Sequence, residues 1–107
     1  TSLVNASEMW TTDAVLLEVT ASMARQTFRV VANGIWNQFH GRDERCISVD
    51  ASAENLGNAM NLYRARPDKA WSIADCLSFL VMEQQGLSDA LTADQHFEQA
   101  GFQALLL

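Results

Sequence analysis

The sequence predicts an α/β domain with a small, largely parallel sheet flanked by helices. Three observations carry that expectation. First, short apolar runs with strand character (Trp10-Thr11-Thr12, Cys46-Ile47-Ser48-Val49-Asp50 and Ala90-Leu91-Thr92) alternate with longer stretches at helical spacing. Strands separated by helices close into parallel sheets. Second, residues 71–102 give an apolar helix, a glycine break and a short strand in succession, with one acid in the helix's first turn and another just past the strand. Third, 107 residues of which 49% are hydrophobic suit one domain, 1–107, with a single core, and are too apolar for a disordered chain.

In order along the chain, residues 1–9 are mixed and weakly patterned. Trp10-Thr11-Thr12 ends a short strand, and Thr12 suits the N-cap of a helix with Asp13 in its first turn. That helix is expected over 13–28, with Val15, Leu16, Val19 and Met23 as its buried stripe and Glu18 off it among small neighbours. A second helical segment over 29–39 carries Val30, Val31, Ile35, Trp36 and Phe39, and a polar turn follows from His40 to Arg45. Residues 46–50 alternate as a strand. Ser52 caps a helix over 53–64, which ends before Pro67 in the basic connector Arg64-Ala65-Arg66-Pro67-Asp68-Lys69.

The segment 73–85 is apolar on most sides, as buried helices are, and Gly86 fits the position just past its end. A strand over 90–92, a helical turn over 95–100 and a last strand over 103–107 complete the pattern.

Thirteen acidic residues against seven basic ones give a formal charge of −6. A protein that coats nucleic acid by neutralising phosphates carries the opposite sign. A nuclease is compatible with this charge, because its acids hold metal and meet the phosphate through it. No apolar run reaches the roughly 18 residues that span a bilayer, and no secretory leader pattern opens the chain, so a cytoplasmic location and no membrane partner are expected. Cys46 and Cys76 belong to no metal-binding or disulfide pattern and read as reduced thiols.

Three blocks resemble the PIN domain, the fold of the VapC-type toxin ribonuclease in bacterial toxin–antitoxin pairs. They are Thr11-Thr12-Asp13-Ala14-Val15-Leu16-Leu17-Glu18-Val19, the run from Leu62 through Asp75 to Phe79, and Ala90-Leu91-Thr92-Ala93-Asp94-Gln95-His96-Phe97-Glu98-Gln99-Ala100-Gly101-Phe102. The resemblance covers nearly the whole chain and implies a PIN-like three-layer domain of about four strands, truncated at its N-terminus. It also implies RNA hydrolysis by a cluster of four acids around Mg²⁺ or Mn²⁺, three of which match Glu18, Asp75 and Asp94, with Ser72 and Thr92 in supporting positions. The fourth, an Asp closing the family's first and central strand, has no counterpart here.

That gap shapes the functional expectation. Hard dications are often held by only one or two carboxylates, so three acids can still bind metal, while hydrolysis asks for a well-placed ion. One reading is therefore a PIN-derived fold with weakened or lost catalysis, persisting as a dimeric interaction module that engages an antitoxin-like helix. Another is an active Mg²⁺- or Mn²⁺-dependent endoribonuclease, and a third is that these residues are a fragment of a longer protein whose upstream part supplies the strand and its Asp. The missing central strand also leaves two strands without a partner, and exposed edges need covering. The orphaned strands can pair with each other, Ser2-Leu3-Val4-Asn5 can supply a substitute, or a second copy can pair edge to edge in a homodimer.

Each acid has a plainer reading. Ser72-Ile73-Ala74-Asp75 is a capping box, Thr92 or Asp94 suits the cap of the last helix, and Glu18 alone is a solvated surface residue. His96 beside Phe97 reads as a half-packed imidazole with no catalytic role. Trp10, Trp36 and Trp71 read as core or interface anchors, and the basic connector as a solvated segment.

Overall fold

A computed structural model describes the backbone of residues 2–4 and all of residues 8–107. In chain order its elements are β1 (Ser2–Val4), β2 (Met9–Thr12), α1 (Asp13–Ser22), α2 (Gln26–Asn37), β3 (Cys46–Val49), α3 (Ala53–Ala65), α4 (Ile73–Gln85), β4 (Asp89–Leu91), α5 (Gln95–Gln99) and β5 (Gln103–Ala104). The strands form one sheet in the order β3-β2-β1-β4-β5. The outer pairs, β2 with β3 and β4 with β5, are parallel, as strands joined through helices should be. The middle strand is antiparallel to both neighbours, with Leu3 opposite Trp10 and Ala90.

The gap between the orphaned strands is therefore filled by the substitute strand, and β2 and β4 do not pair directly. Asn5, the last residue of the expected substitute, lies outside the described residues. With three residues β1 is short, yet it satisfies inward-facing edges of both neighbours that would otherwise stay unpaired.

The first helical region differs from expectation. α1 stops at Ser22 and α2 begins at Gln26, where one helix was expected to run on to residue 28. The hydroxyls of Thr20 and Ser22 donate to the carbonyls of Leu17 and Val19, offering the last turn local partners that compete with continued helix. Met23 then leaves helical geometry at φ −107° and ψ 31°, and Arg29 Nε–H donates to the carbonyl of Ala24 across the break. Past α2 the chain reverses in a wide turn, Gln38–Arg42, where Gly41 takes φ 121°, a value that side-chain-bearing residues avoid. Asp13 ties that turn to the sheet: its Oδ1 accepts from Ser48 Oγ at 2.6 Å and faces His40 Nε2 at 2.8 Å.

α4 is the spine of the core. Ala74, Cys76, Leu77, Ser78, Phe79, Val81 and Met82 are all buried along it. Its start is fixed by a reciprocal cap, in which Ser72 Oγ accepts from Asp75 N–H and Asp75 Oδ2 accepts from Ser72 N–H, both at 3.0 Å. Its end is fixed by Gly86 at φ 67°, with Leu87 N–H donating back to the carbonyl of Met82.

Phe79 is the hub between this helix and the C-terminal segment. Its ring meets Trp71 edge-on at 5.0 Å, Phe97 edge-on at 4.9 Å and Phe102 in a stack at 5.9 Å. Such pairs add about 0.5–1.5 kcal/mol each beyond simple burial. Phe97 is fully buried, so the one-turn helix α5 is pinned to α4 by its middle residue. Trp71 is anchored further by Nε1–H donating to Gln99 Oε1 at 3.2 Å. No helix among the described residues is long and apolar enough to cross a membrane.

Candidate metal centre

One cleft of about 300 Å³ opens between α1, the start of α4 and the start of α5, lined by Val15, Glu18, Val19, Ser22, Asp75, Ser78, Asp94 and Phe97. On α1 the lining residues fall three and four apart, so a single helical face supplies them. Glu18 therefore shares the cleft wall with Val15 and Val19, two residues of the apolar stripe. Asp75 comes from the third position of α4 and Asp94 from the cap of α5. The three acids, distant in sequence, thus open onto one hollow.

Both shorter readings of the aspartates are also realised. Asp75 completes the capping box of α4. Asp94 N-caps α5, its Oδ1 accepting from His96 N–H at 2.9 Å. Capping fixes one edge of each carboxylate and so orients the group.

Ser72 and Thr92 position the acids from the backbone side. Ser72 does so through the cap just described, and Thr92 Oγ1 accepts the N–H of Asp94 at 3.1 Å. Ser72 faces a neighbouring hollow of about 500 Å³ whose lining includes Arg64, Arg66 and Lys69. Arg66 is held there by Asp68 through two contacts of 3.0 Å and lies 5.2 Å over the ring of Trp71.

The residue that sequence reasoning set aside is His96. Its Nδ1 lies 3.1 Å from Asp75 Oδ2 and 3.4 Å from Asp94 Oδ1. One ligand atom each from Asp75, Asp94 and His96 falls within 4.8 Å of the others, and all three residues are half-buried. The available signal was local: at two residues past a helix-capping Asp, a His is carried back over the cap. Its partner Asp75 belongs to another element and could not be foreseen from that spacing.

The expected fourth acid is not replaced by another carboxylate from the middle strand. Because β1 is antiparallel, Ser2 pairs with Leu91 near the cleft end, and Ser2–Val4 contains no acidic residue. Just below the cleft, burial pushes the Cys76 thiol up from its usual range, and the neighbouring Asp75 carboxylate adds to the shift.

The donor set fits a divalent cation. Carboxylate oxygens are the ligands that hard dications take, and an imidazole nitrogen is a common further donor. Among solved structures, the chain matches the crystal structure of VapC20 from Mycobacterium tuberculosis, a toxin that cleaves the sarcin–ricin loop. The TM-score is 0.76 and the identity 20%, over 96% of this chain and 76% of that one. No protein-family model matches the chain, and no curated protein matches it by sequence. The structural likeness establishes the fold, which is that of a VapC-type PIN domain.

Proposed function

We propose that this chain binds a divalent cation, Mg²⁺ or Mn²⁺, between Asp75, Asp94 and Glu18, and that the bound ion supports hydrolysis of RNA phosphodiesters. The observation that carries the reading is that all three acids line one cleft, Asp75 and Asp94 near enough to share an ion and Glu18 outside that close group. It is reinforced by a fold shared with a toxin that cuts structured RNA. A cation bound there supplies the Lewis acidity and water activation that phosphodiester hydrolysis demands.

The residues have separable tasks. Asp75 and Asp94, fixed by their caps, present oriented oxygens on one wall. Glu18, on an exposed part of α1, faces them across the cleft and is free to adjust its reach. Ser72 and Thr92 hold the aspartates at the backbone. Lys69 and Arg64, in the adjoining hollow beside Ser72, are placed to meet the phosphates of a strand entering the cleft.

The test is cleavage of a structured RNA stem-loop during Mn²⁺ titration. Cleavage that needs the ion and is lost in Asp75→Asn and Glu18→Gln supports the proposal. Metal-independent cleavage, or none by the native chain at any Mn²⁺ concentration, contradicts its catalytic half.

A second reading concerns partners and has its own observation. Leu17, Phe28, Val30 and Val31 on α1 and α2 are more than half exposed, and Phe28 and Val31 share a helix face. Apolar surface of this kind marks protein contact. We infer that a second copy of the chain or an antitoxin-like amphipathic helix covers it. Light scattering of the native chain and of Phe28→Ser/Val31→Ser separates self-association from a solitary monomer.

A further inference from the structure

We propose that His96 is itself a metal ligand through Nδ1, making the centre a mixed nitrogen–oxygen site that prefers a transition-metal dication such as Mn²⁺ over Mg²⁺. This rests on the reading of the cleft as a cation site and adds to it both a ligand and a selectivity.

The hydrogen bond that links Nδ1 to Asp75 Oδ2 has a length that shared ligation of one ion would also give. Donors bound at about 2.1–2.2 Å and at right angles on one ion lie about 3.0–3.1 Å apart, and tetrahedral neighbours lie about 3.4 Å apart. The gaps from Nδ1 are 3.1 Å to Asp75 and 3.4 Å to Asp94. Both match neighbouring positions around a shared centre.

The backbone that carries the ring is also held in place. His96 N–H is tied to Asp94 Oδ1. The next residue, Phe97, is buried against Phe79. The main chain at His96 is thus fixed, and the ring moves only by its own side-chain torsions. Ligation leaves the ring proton on Nε2, and the 24% exposure of the side chain lets that edge face solvent.

The chemistry of the donors sets the preference. Mg²⁺ favours all-oxygen surroundings and keeps most of its waters, whereas imidazole suits later first-row ions, and affinity at a given site rises from Mn²⁺ onward. His96 adds to the carboxylates a nitrogen donor that shifts the choice of ion.

The experiment combines competitive Mn²⁺ and Mg²⁺ titration with pulsed electron paramagnetic resonance of the Mn²⁺-loaded protein. The native chain is expected to show coupling to a directly bound nitrogen. In His96→Gln that coupling disappears and Mn²⁺ affinity falls at least about tenfold, the scale seen when metal-site partners are removed, with Mg²⁺ affinity much less changed. The spectrum of the native chain is decisive even if the variant folds poorly, and His96→Asn provides a second replacement. Mn²⁺ bound without nitrogen coupling, or an unaltered Mn²⁺-to-Mg²⁺ ratio in the folded variants, overturns the role of His96 and leaves the carboxylate site standing. No binding of either ion by the native chain overturns the cation site itself.

Discussion

Asp75 is asked to do two things, cap a helix and hold a cation, and substitution separates them. Asp75→Ala removes the acceptor for Ser72 N–H, half of the capping box at α4. Loss of such a cap costs about 1 kcal/mol, or roughly 4–8 °C in melting temperature for a domain near this size. Asp75→Asn keeps an acceptor oxygen and loses the charge, which near a helix start is worth about 0.3–1 kcal/mol. Without metal, Asn is therefore the milder change. Metal reverses the emphasis. An ion at about 100 times its dissociation constant stabilises the native chain by about 2.7 kcal/mol, more than about 10 °C here. Asp75→Asn should lose most of that gain while melting close to the native chain in chelator. The assay is a pair of thermal melts for each protein, with EDTA and with Mn²⁺. Equal Mn²⁺-induced shifts in native and Asp75→Asn protein refute the assignment of Asp75 as a ligand, and a large loss in EDTA alone reduces it to a cap.

Phe97→Leu should cost about 1–2 kcal/mol by trimming a fully buried ring and removing its contact with Phe79, read as a lower urea midpoint. Metal affinity should fall with it, because α5 carries Asp94 and His96. Glu18→Gln should lower Mn²⁺-dependent cleavage about 10–100-fold and leave the urea midpoint nearly unchanged, since the side chain is exposed on α1. The raised Cys76 thiol gives a pH signature. The unfolded chain releases this proton near the ordinary thiol value and the folded chain only above it. The contribution to stability is thus full below about pH 8.5 and is lost as pH rises through the folded value. As pH rises above about 8.5 the native chain should lose stability more steeply than Cys76→Ala.

The parts of the fold that were legible in the sequence are those whose signals are local. α4 was readable at both ends because Ser72 with Asp75, and Gly86, act within one turn. Ser52 and Thr12 marked α3 and α1 for the same reason, each accepting a backbone N–H three residues on. The end of α1 was not legible, since Val19 and Met23 continue the apolar period while the hydroxyls of Thr20 and Ser22 stop the helix. The direction of β1 was not legible either. Three residues carry no register of their own, and an antiparallel seat between β2 and β4 is decided by those neighbours. The site divides in the same way. Glu18, Asp75 and Asp94 could be named from family spacing, but His96 becomes meaningful only when the Phe79–Phe97 contact folds α5 back onto the start of α4.

Anomalous diffraction from a crystal grown with Mn²⁺ tests the cation site most directly. A peak bounded by Asp75, Asp94 and His96, with Glu18 turned toward it, is the predicted result. A crystal that takes up Mn²⁺ elsewhere and leaves this cleft without anomalous density contradicts the account.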